Sequence, residues 1–128
     1  ISCREAINMT VLFEYVERDA YLVATISDRT INPQRAIAIL KLIDSECRKC
    51  KCRKVLLNES TVEKRDIANH EIHSISKNMP DIHLACLCKP ELIDEKSELF
   101  NAFTFTDGYI ARHFSVEGDA LAWLLSKH

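Results

Sequence analysis

The sequence predicts an α/β fold: a single layered domain with the element order β-β-α-β-α-β-α-β-α, in which about five strands form one mostly parallel, mixed sheet with four helices. Two observations lead to this prediction. The chain has 128 residues, a length that is common for one domain. Short β-branched or apolar runs alternate with segments in which apolar residues recur at three- and four-residue spacing. We expect the domain to span residues 10–128, after an N-terminal extension at residues 1–9.

The first half of the chain predicts a hairpin followed by a long helix. Residues 10–17 and 20–27 are rich in β-branched and aromatic side chains, and the dipeptide Arg18-Asp19 between them suits a turn. Asn32 is the expected N-cap of the first helix, with Pro33 at its first position. We expect the inward face of this helix to carry Ala36, Ile37, Leu40, Ile43 and Cys47.

The second half predicts three further strands, each followed by a helix. The strands are expected at 54–57, 81–88 and 109–114. We expect the second helix to begin at Ser60, because "STVE" at 60–63 has the form of a capping box, and to run to about Asn78. A third helix is expected at 91–105, and Ser115 is the expected cap of the last helix.

Composition and charge argue against several classes of function. The two glycines, Gly108 and Gly118, are isolated, so the chain has no glycine-rich loop to cradle a phosphate. The 17 basic and 19 acidic residues give a net charge of -2. We expect no nucleic-acid binding, because that function needs a broad positive surface. The longest apolar runs are far shorter than the ~18 residues of a membrane span, so we expect none.

The number of cysteines bears on the redox compartment. An even set would suit disulfides in a small secreted protein, but a chain of this length with an apolar core does not need them. We therefore expect reduced thiols and a cytoplasmic location. The six residues are Cys3, Cys47, Cys50, Cys52, Cys86 and Cys88.

Two stretches carry a resemblance to a known family. The segment "LACLCKPELID" enters the third helix, and the chain closes with "YIARHFSVEGDALAWLL". With the order of elements, these stretches resemble the STAS domains, specifically the SpoIIAA-like branch of anti-sigma-factor antagonist relatives, over residues 10–126. The resemblance implies a non-enzymatic cytoplasmic module that binds a partner protein or a small ligand.

The same resemblance points to a regulatory hydroxyl. In phosphoregulated STAS proteins a serine at the N-terminus of the helix after the third strand is the switch, and Ser60 or Thr61 would occupy that place here. A phosphate at a helix N-terminus would meet free amides. The alternative is that Ser60 is only an N-cap, and the neighbouring Glu59 and Glu63 would repel a phosphate.

The stretch "CRKCKCRK" at 47–54 combines three cysteines with five basic residues. Two of the cysteines form C-x-x-C, half of a zinc knuckle, but the only other pair, Cys86 and Cys88, is expected inside the sheet. We therefore expect no metal and no other cofactor, and keep as weak metal candidates Cys47, Cys50 and Cys52. The basic residues suit the C-terminal end of a helix, or else a surface for an anionic partner, and the candidates for such a surface are Arg48, Lys49, Lys51 and Arg53.

Six of the nine aromatic residues lie between positions 100 and 123. Most should belong to the core. The alternative is a pocket or a dimer face below the third helix that binds an apolar ligand or a partner, and its candidate residues are Phe100, Phe103, Phe105 and Tyr109.

The linear order does not bring a thiol, a base and a carboxylate together. We therefore expect that polar side chains do not converge into a reaction centre, and that the protein is not an enzyme. The leading hypothesis is a cytoplasmic regulatory or protein-interaction module that binds a protein partner and self-associates as a homodimer. The second is a protein that binds or senses a small apolar, lipid-like ligand, and the third is a thiol or metal redox protein.

Overall fold

A computed structural model describes residues 11–106 and 110–126 of the protein. These residues form the predicted α/β domain, with a five-stranded mixed sheet and four helices. The extension predicted at 1–9 lies outside the described residues. The strands, in chain order, are β1 (Val11–Val16), β2 (Tyr21–Ile26), β3 (Thr30–Ile31), β4 (Lys54–Asn58), β5 (Lys64–Arg65), β6 (His83–Leu87) and β7 (Ile110–Phe114).

Four α-helices accompany the strands: α1 (Pro33–Cys50), α2 (Asn69–Ser76), α3 (Glu95–Thr106) and α4 (Glu117–Leu125). A short 3-10 turn, Pro90–Leu92, precedes α3. In the part of the chain that the structure describes, no helix is both long enough and apolar enough to cross a membrane.

The main sheet has the strand order β1-β2-β4-β6-β7. β1 and β2 are antiparallel, which confirms the predicted hairpin. β2, β4, β6 and β7 pair in parallel with their neighbours, and α1, α2 and α3 connect them in turn. Each connection moves one strand in the same direction, so right-handed crossovers place these three helices on one face of the sheet. β3 and β5 form a separate two-stranded parallel ribbon.

The two faces of the sheet carry separate apolar cores. The larger core joins α1, α2 and α3 to inward residues such as Leu22, Val55 and Leu84. The smaller core joins α4 to the opposite face, where Leu56 and Ala85 are buried. Alternate residues of β4 and β6 thus point into different cores, which is why the central strands read as continuous apolar runs.

The first helix follows its sequence signals closely. Asn32 is the N-cap, and its Oδ1 accepts a hydrogen bond from the Arg35 backbone N–H at 2.8 Å. The helix ends at Lys51, whose φ of 55° lies in the left-handed region. Its buried residues are Ile39, Leu40, Ile43 and Cys47, so Ile39 belongs to the inward face, while Ala36 and Ile37 are only partly buried.

The predicted start of the second helix is wrong. Ser60 and Thr61 lie in a turn after β4, and α2 begins only at Asn69. The reason is long-range pairing: residues 64–65 pair with 30–31 as the ribbon, which holds this segment extended. Half of a capping box is formed later, where the Glu71 carboxylate accepts from the Ala68 backbone N–H at 2.8 Å, although the Ala68 side chain has no acceptor to complete the motif.

Smaller differences concern the ends of other elements. Val116, not Ser115, is the N-cap of α4, and no side-chain hydrogen bond caps that helix. The third helix starts later than predicted, because the 3-10 turn Pro90–Leu92 ends at Ile93 and the Asp94 carboxylate caps α3, which starts at Glu95. The strand predicted at 81–88 is the shorter His83–Leu87.

Substituting a core residue of α1 tests this packing. Ile43 is 0% exposed between the helix and the sheet, whereas its neighbour Leu42 is 39% exposed. We expect Ile43→Ala to lower the free energy of unfolding by about 2–5 kcal/mol, because the cavity that it leaves cannot fully collapse. Leu42→Ala should cost less than about 1 kcal/mol. Urea denaturation measures both, and equal losses would contradict the described orientation of α1.

Candidate functional site

A cavity of about 80 Å³ lies between the sheet and the helices α1, α2 and α3. It opens at the carboxyl ends of the parallel strands, which is where ligands bind in open α/β sheets. Its walls are mostly apolar, formed by Ile26, Ile31, Ala36, Ile39, Leu40, Leu57, Ile67, Ile72, Ile75, Leu84 and Phe100. Six polar side chains complete the lining: Glu59, Arg65, Cys86, Lys96, Ser97 and His113.

The parallel register explains why three of these polar groups meet. Leu57 on β4 is the partner of Cys86 on β6, and Cys86 is in turn the partner of His113 on β7. Partners in register present their side chains on the same face of a sheet. Glu59 stands two residues beyond Leu57, so it faces the same side just past the end of its strand.

The three side chains are close enough to interact. One oxygen of Glu59, the sulfur of Cys86 and one ring nitrogen of His113 all lie within 4.8 Å of one another. The Glu59 carboxyl group is close enough to the Cys86 thiol for each to influence the pKa of the other. His113 Nδ1 lies 2.9 Å from Asn101 Oδ1 on α3. Because the amide oxygen accepts, Nδ1 carries the hydrogen and Nε2 keeps its lone pair.

Burial controls the protonation of this cluster. Desolvation raises the pKa of Glu59 above its usual value, although Arg65 and the nearby Cys86 thiol act in the opposite direction. Desolvation also raises the pKa of the Cys86 thiol well above its usual range, and the nearby Glu59 adds to the effect. Burial, with the Arg65 charge as a second cause, lowers the pKa of His113 to about 3. At neutral pH the thiol is therefore protonated and the imidazole is uncharged.

Arg65 reaches the same cavity from the β3–β5 ribbon. Its side chain is 10% exposed, and Nη1 donates a hydrogen bond to the Leu92 carbonyl oxygen at 2.6 Å. Nη1 also lies 3.9 Å from Asp94, and Nη2 lies 4.0 Å from Glu59 Oε2. Nη2 is the buried side-chain atom without a hydrogen-bond partner in the described part of the chain.

The ribbon and the start of α3 hold Arg65 in place. Arg65 pairs with Ile31 in the ribbon, and the next residue, Asp66, donates from its backbone N–H to the Ile31 carbonyl at 2.7 Å. Asp94 caps α3, since its Oδ1 accepts from the backbone N–H groups of Lys96 and Ser97, both at 3.1 Å. The Asp94 carboxylate thus caps α3 and also lies beside the Arg65 guanidinium.

The expectation that polar side chains do not converge is therefore wrong. Thiol, imidazole and carboxyl groups line one cavity, although they come from three different strands, at or just beyond the carboxyl end of each. The signal that could have revealed them was the alternation within each strand, combined with the register between strands. Cys86 was expected to point inside, but no local pattern in the sequence places His113 beside it.

The predicted phosphoacceptors lie elsewhere. Ser60 and Thr61 are not at a helix N-terminus, so the free amides expected around a phosphate are not present there. Thr61 Oγ1 donates to the Asp28 carbonyl at 2.9 Å, and the Ser60 backbone N–H donates to Asn58 Oδ1 at 3.1 Å. Phosphorylation of Ser60 or Thr61 stays a prediction, but the argument that a helix N-terminus would hold the phosphate no longer supports it.

The cysteines of the stretch 47–54 do not gather into a metal site. Among residues 11–106 and 110–126, only the Glu59–Cys86–His113 group offers three ligand atoms close together. Cys47 is buried, and desolvation with nearby Cys52 raises its pKa to about 12. Cys52 donates to the Lys54 carbonyl at 3.3 Å, and Cys50 is partly exposed.

Most of the predicted anionic-partner residues have acidic neighbours of their own. Arg48 pairs with Asp44 at 3.1 Å, and Lys49 lies 3.9 Å from Glu46. Arg53 pairs with Asp81, and Lys51 is the residue that ends α1. These exposed pairs are weak, so they reduce the positive potential of the stretch without abolishing it.

The aromatic residues predicted to form one face are divided among different surroundings. Phe100 lines the cavity and packs edge-on against the His113 ring, with centroids 6.2 Å apart. Phe103 packs against the core and the ring of His73, and Phe105 is 73% exposed. Tyr109 lies outside the described residues.

Comparisons with protein-family models, with curated proteins and with solved structures find no match for this chain. The resemblance to the STAS domains therefore stays a prediction.

Proposed function

We propose that the protein is a non-enzymatic regulatory module whose cavity binds a small, compact molecule with an apolar body and one anionic group. This is the small-ligand hypothesis made more specific. The observation that carries it is Arg65, which lines a largely apolar cavity and whose buried Nη2 donor has no hydrogen-bond partner of normal geometry among the described residues.

Arg65 supports an anionic group on the ligand. A guanidinium has five donors and no acceptor, so an unused donor needs an oxygen opposite it. Leaving a buried polar group unpaired costs about 1–3 kcal/mol, and more when the group is charged. Glu59 Oε2 is 4.0 Å from Nη2, too far for a hydrogen bond. A ligand carboxylate bound in the cavity beside Arg65 would supply the missing acceptor for Nη2.

The rest of the cavity supports an apolar body of limited size. Ile39, Leu40 and Ile72 form part of its wall, and the volume of about 80 Å³ is small beside the pockets that hold drug-sized ligands. A short branched carboxylate has suitable dimensions and chemistry, whereas a long lipid chain does not. Lys96 on α3 adds a second cation to the lining.

We also propose a cytoplasmic location, and this location and the regulatory role each have their own support. The STAS-like order of elements suits a module that passes a binding event to a partner, with helices on both faces of one sheet. The five cysteines of the described residues are all free thiols, which is typical of a reducing compartment. Burial raises the pKa of the Cys86 thiol well above its usual range, and a protonated thiol is a poor nucleophile, which favours binding over nucleophilic catalysis.

Binding of short carboxylates tests the ligand proposal. We expect isovalerate to cause saturable NMR shifts in residues that line the cavity, and its neutral amide, isovaleramide, to bind more than ~10-fold more weakly because it lacks the charge for Arg65. Arg65→Gln should weaken isovalerate binding by a similar factor, and Arg65→Lys by less, since it keeps the charge.

The matched control is Arg53→Gln, which removes an exposed, ion-paired arginine far from the cavity lining. It should bind isovalerate as the wild type does. The proposal is contradicted if no straight or branched short carboxylate shifts the cavity residues, or if the amide binds as tightly as the acid.

A separate observation favours association with a second copy of the chain. In the described residues β1 is an outer strand of the sheet, and no strand pairs with its free edge. Its sequence, VLFEYV, contains one charge and no proline or lysine to discourage pairing. Leu12 and Tyr15 on this strand are 69% and 43% exposed. We propose that two copies pair through β1 about a two-fold axis, the commonest symmetry of homodimers.

Light scattering across a concentration series tests this dimer. We expect a wild-type dimer and a monomeric Leu12→Lys variant, because a lysine on an edge strand discourages its pairing with another strand. Leu42→Lys, which changes a partly exposed leucine on α1, should leave the dimer intact. A wild type that stays monomeric, or a Leu12→Lys variant that dimerises equally well, would exclude pairing through β1.

A further inference from the structure

We propose that Glu59, Cys86 and His113 bind a divalent transition-metal ion, and that zinc fits their donor set best. The three residues offer one oxygen, one sulfur and one nitrogen within 4.8 Å of one another. Thiolate and imidazole ligands select zinc and similar metals over magnesium or calcium, which prefer oxygen alone. Three protein ligands with a fourth position left open is the usual arrangement of a reactive zinc site.

The distances require only a small contraction. Zinc bonds of about 2.0–2.3 Å in a tetrahedron place two ligand atoms roughly 3.5 Å apart. Moving from separations of up to 4.8 Å to that value needs side-chain rotations, not a change of backbone. The backbone is fixed, because Cys86 and His113 are register partners in the sheet and the Glu59 N–H donates to the Leu87 carbonyl at 2.9 Å.

The surroundings of His113 resemble those of a metal ligand. Its Nδ1 lies 2.9 Å from Asn101 Oδ1, which leaves Nε2 as the nitrogen that can bind a metal. Metal-binding histidines almost always donate their other ring N–H to such an oxygen, which fixes the ring and its tautomer. The Phe100 ring, at 6.2 Å between centroids, packs against the imidazole and limits its rotation further.

The charges of the cavity are compatible with a cation despite the nearby Arg65. A divalent ion with the Cys86 thiolate and the Glu59 carboxylate forms a neutral unit, so Arg65 meets no net positive charge. Binding releases to solvent the proton of the Cys86 thiol and any proton that the Glu59 carboxyl group carries, because the thiolate and the carboxylate are the forms that hold the metal. Arg65 remains 3.9 Å from Asp94, which balances its charge.

The buried Nη2 of Arg65 is a second, independent indication of a ligand at this place. Arg65 lines the cavity, and its buried Nη2 makes no hydrogen bond of normal geometry among the described residues. An oxygen on the open fourth position of the metal, from water or from an anion, would accept from it. The metal site extends the proposed function, but it stands on three other side chains and can be tested without any organic ligand.

Zinc titration of the chelator-stripped protein, in competition with a chromophoric chelator, tests the site. We expect one zinc ion per chain, and Co²⁺ in its place should give a near-ultraviolet sulfur-to-cobalt charge-transfer band. Cys86→Ala should abolish the band. His113→Gln and Glu59→Gln should each weaken zinc affinity by more than ~100-fold, and Asn101→Ala by about 10–100-fold, because it removes only the orienting oxygen.

The control is a Cys47→Ala, Cys50→Ala, Cys52→Ala triple variant, which removes the thiols of the stretch 47–54 and none of the three ligands. It should keep the band and bind zinc within about 3-fold of the wild type. Circular dichroism shows whether each variant folds. Should Cys86→Ala fail to fold, the His113→Gln and Asn101→Ala affinities decide the matter.

Several outcomes would overturn the metal site. If the His113→Gln variant binds zinc as tightly as the wild type does, the metal is an adventitious ion only. A cobalt band that is lost in the triple variant assigns the metal to α1 instead. A protein that binds zinc but no carboxylate keeps this inference and removes the ligand proposal, and the reverse result removes only the metal site.

Discussion

The parallel register of β4, β6 and β7 is the constraint on which the rest of this structure depends. It sets Leu57, Cys86 and His113 side by side on one face of the sheet, with Glu59 just beyond the end of its strand. A shift of one residue in either pairing would send one of these side chains to the opposite core. The cavity, its polar lining and its contact with α3 all follow from that alignment.

Desolvation gives the cluster its chemical character. The sheet and three helices exclude water from the thiol, the imidazole and the carboxyl group, so each of them favours its uncharged form. Arg65 keeps its charge in the same space, held by the Leu92 carbonyl and by Asp94. The result is a cavity in which the Arg65 guanidinium lies beside three groups that can release or accept protons, which suits a site completed by a bound ligand or ion.

The sequence predicted the elements better than the site, for physical reasons. The hairpin and α1 depend on local signals, such as Asn32 and the spacing of apolar residues, and both were predicted correctly. The start of α2 was not, because the pairing of Arg65 with Ile31 overrides the local capping signal at Ser60. The Glu59–Cys86–His113 cluster depends on register between strands, which no local pattern encodes, and it was missed.

The separations among the Glu59 carboxyl oxygens, the Cys86 sulfur and the His113 ring nitrogens in a crystal structure test the central claim most directly. The account predicts that one atom from each residue lies within about 5 Å of the other two, as here, where all lie within 4.8 Å. It also predicts that Asn101 contacts His113 Nδ1. A structure in which any of the three side chains points to the α4 face of the sheet would contradict it.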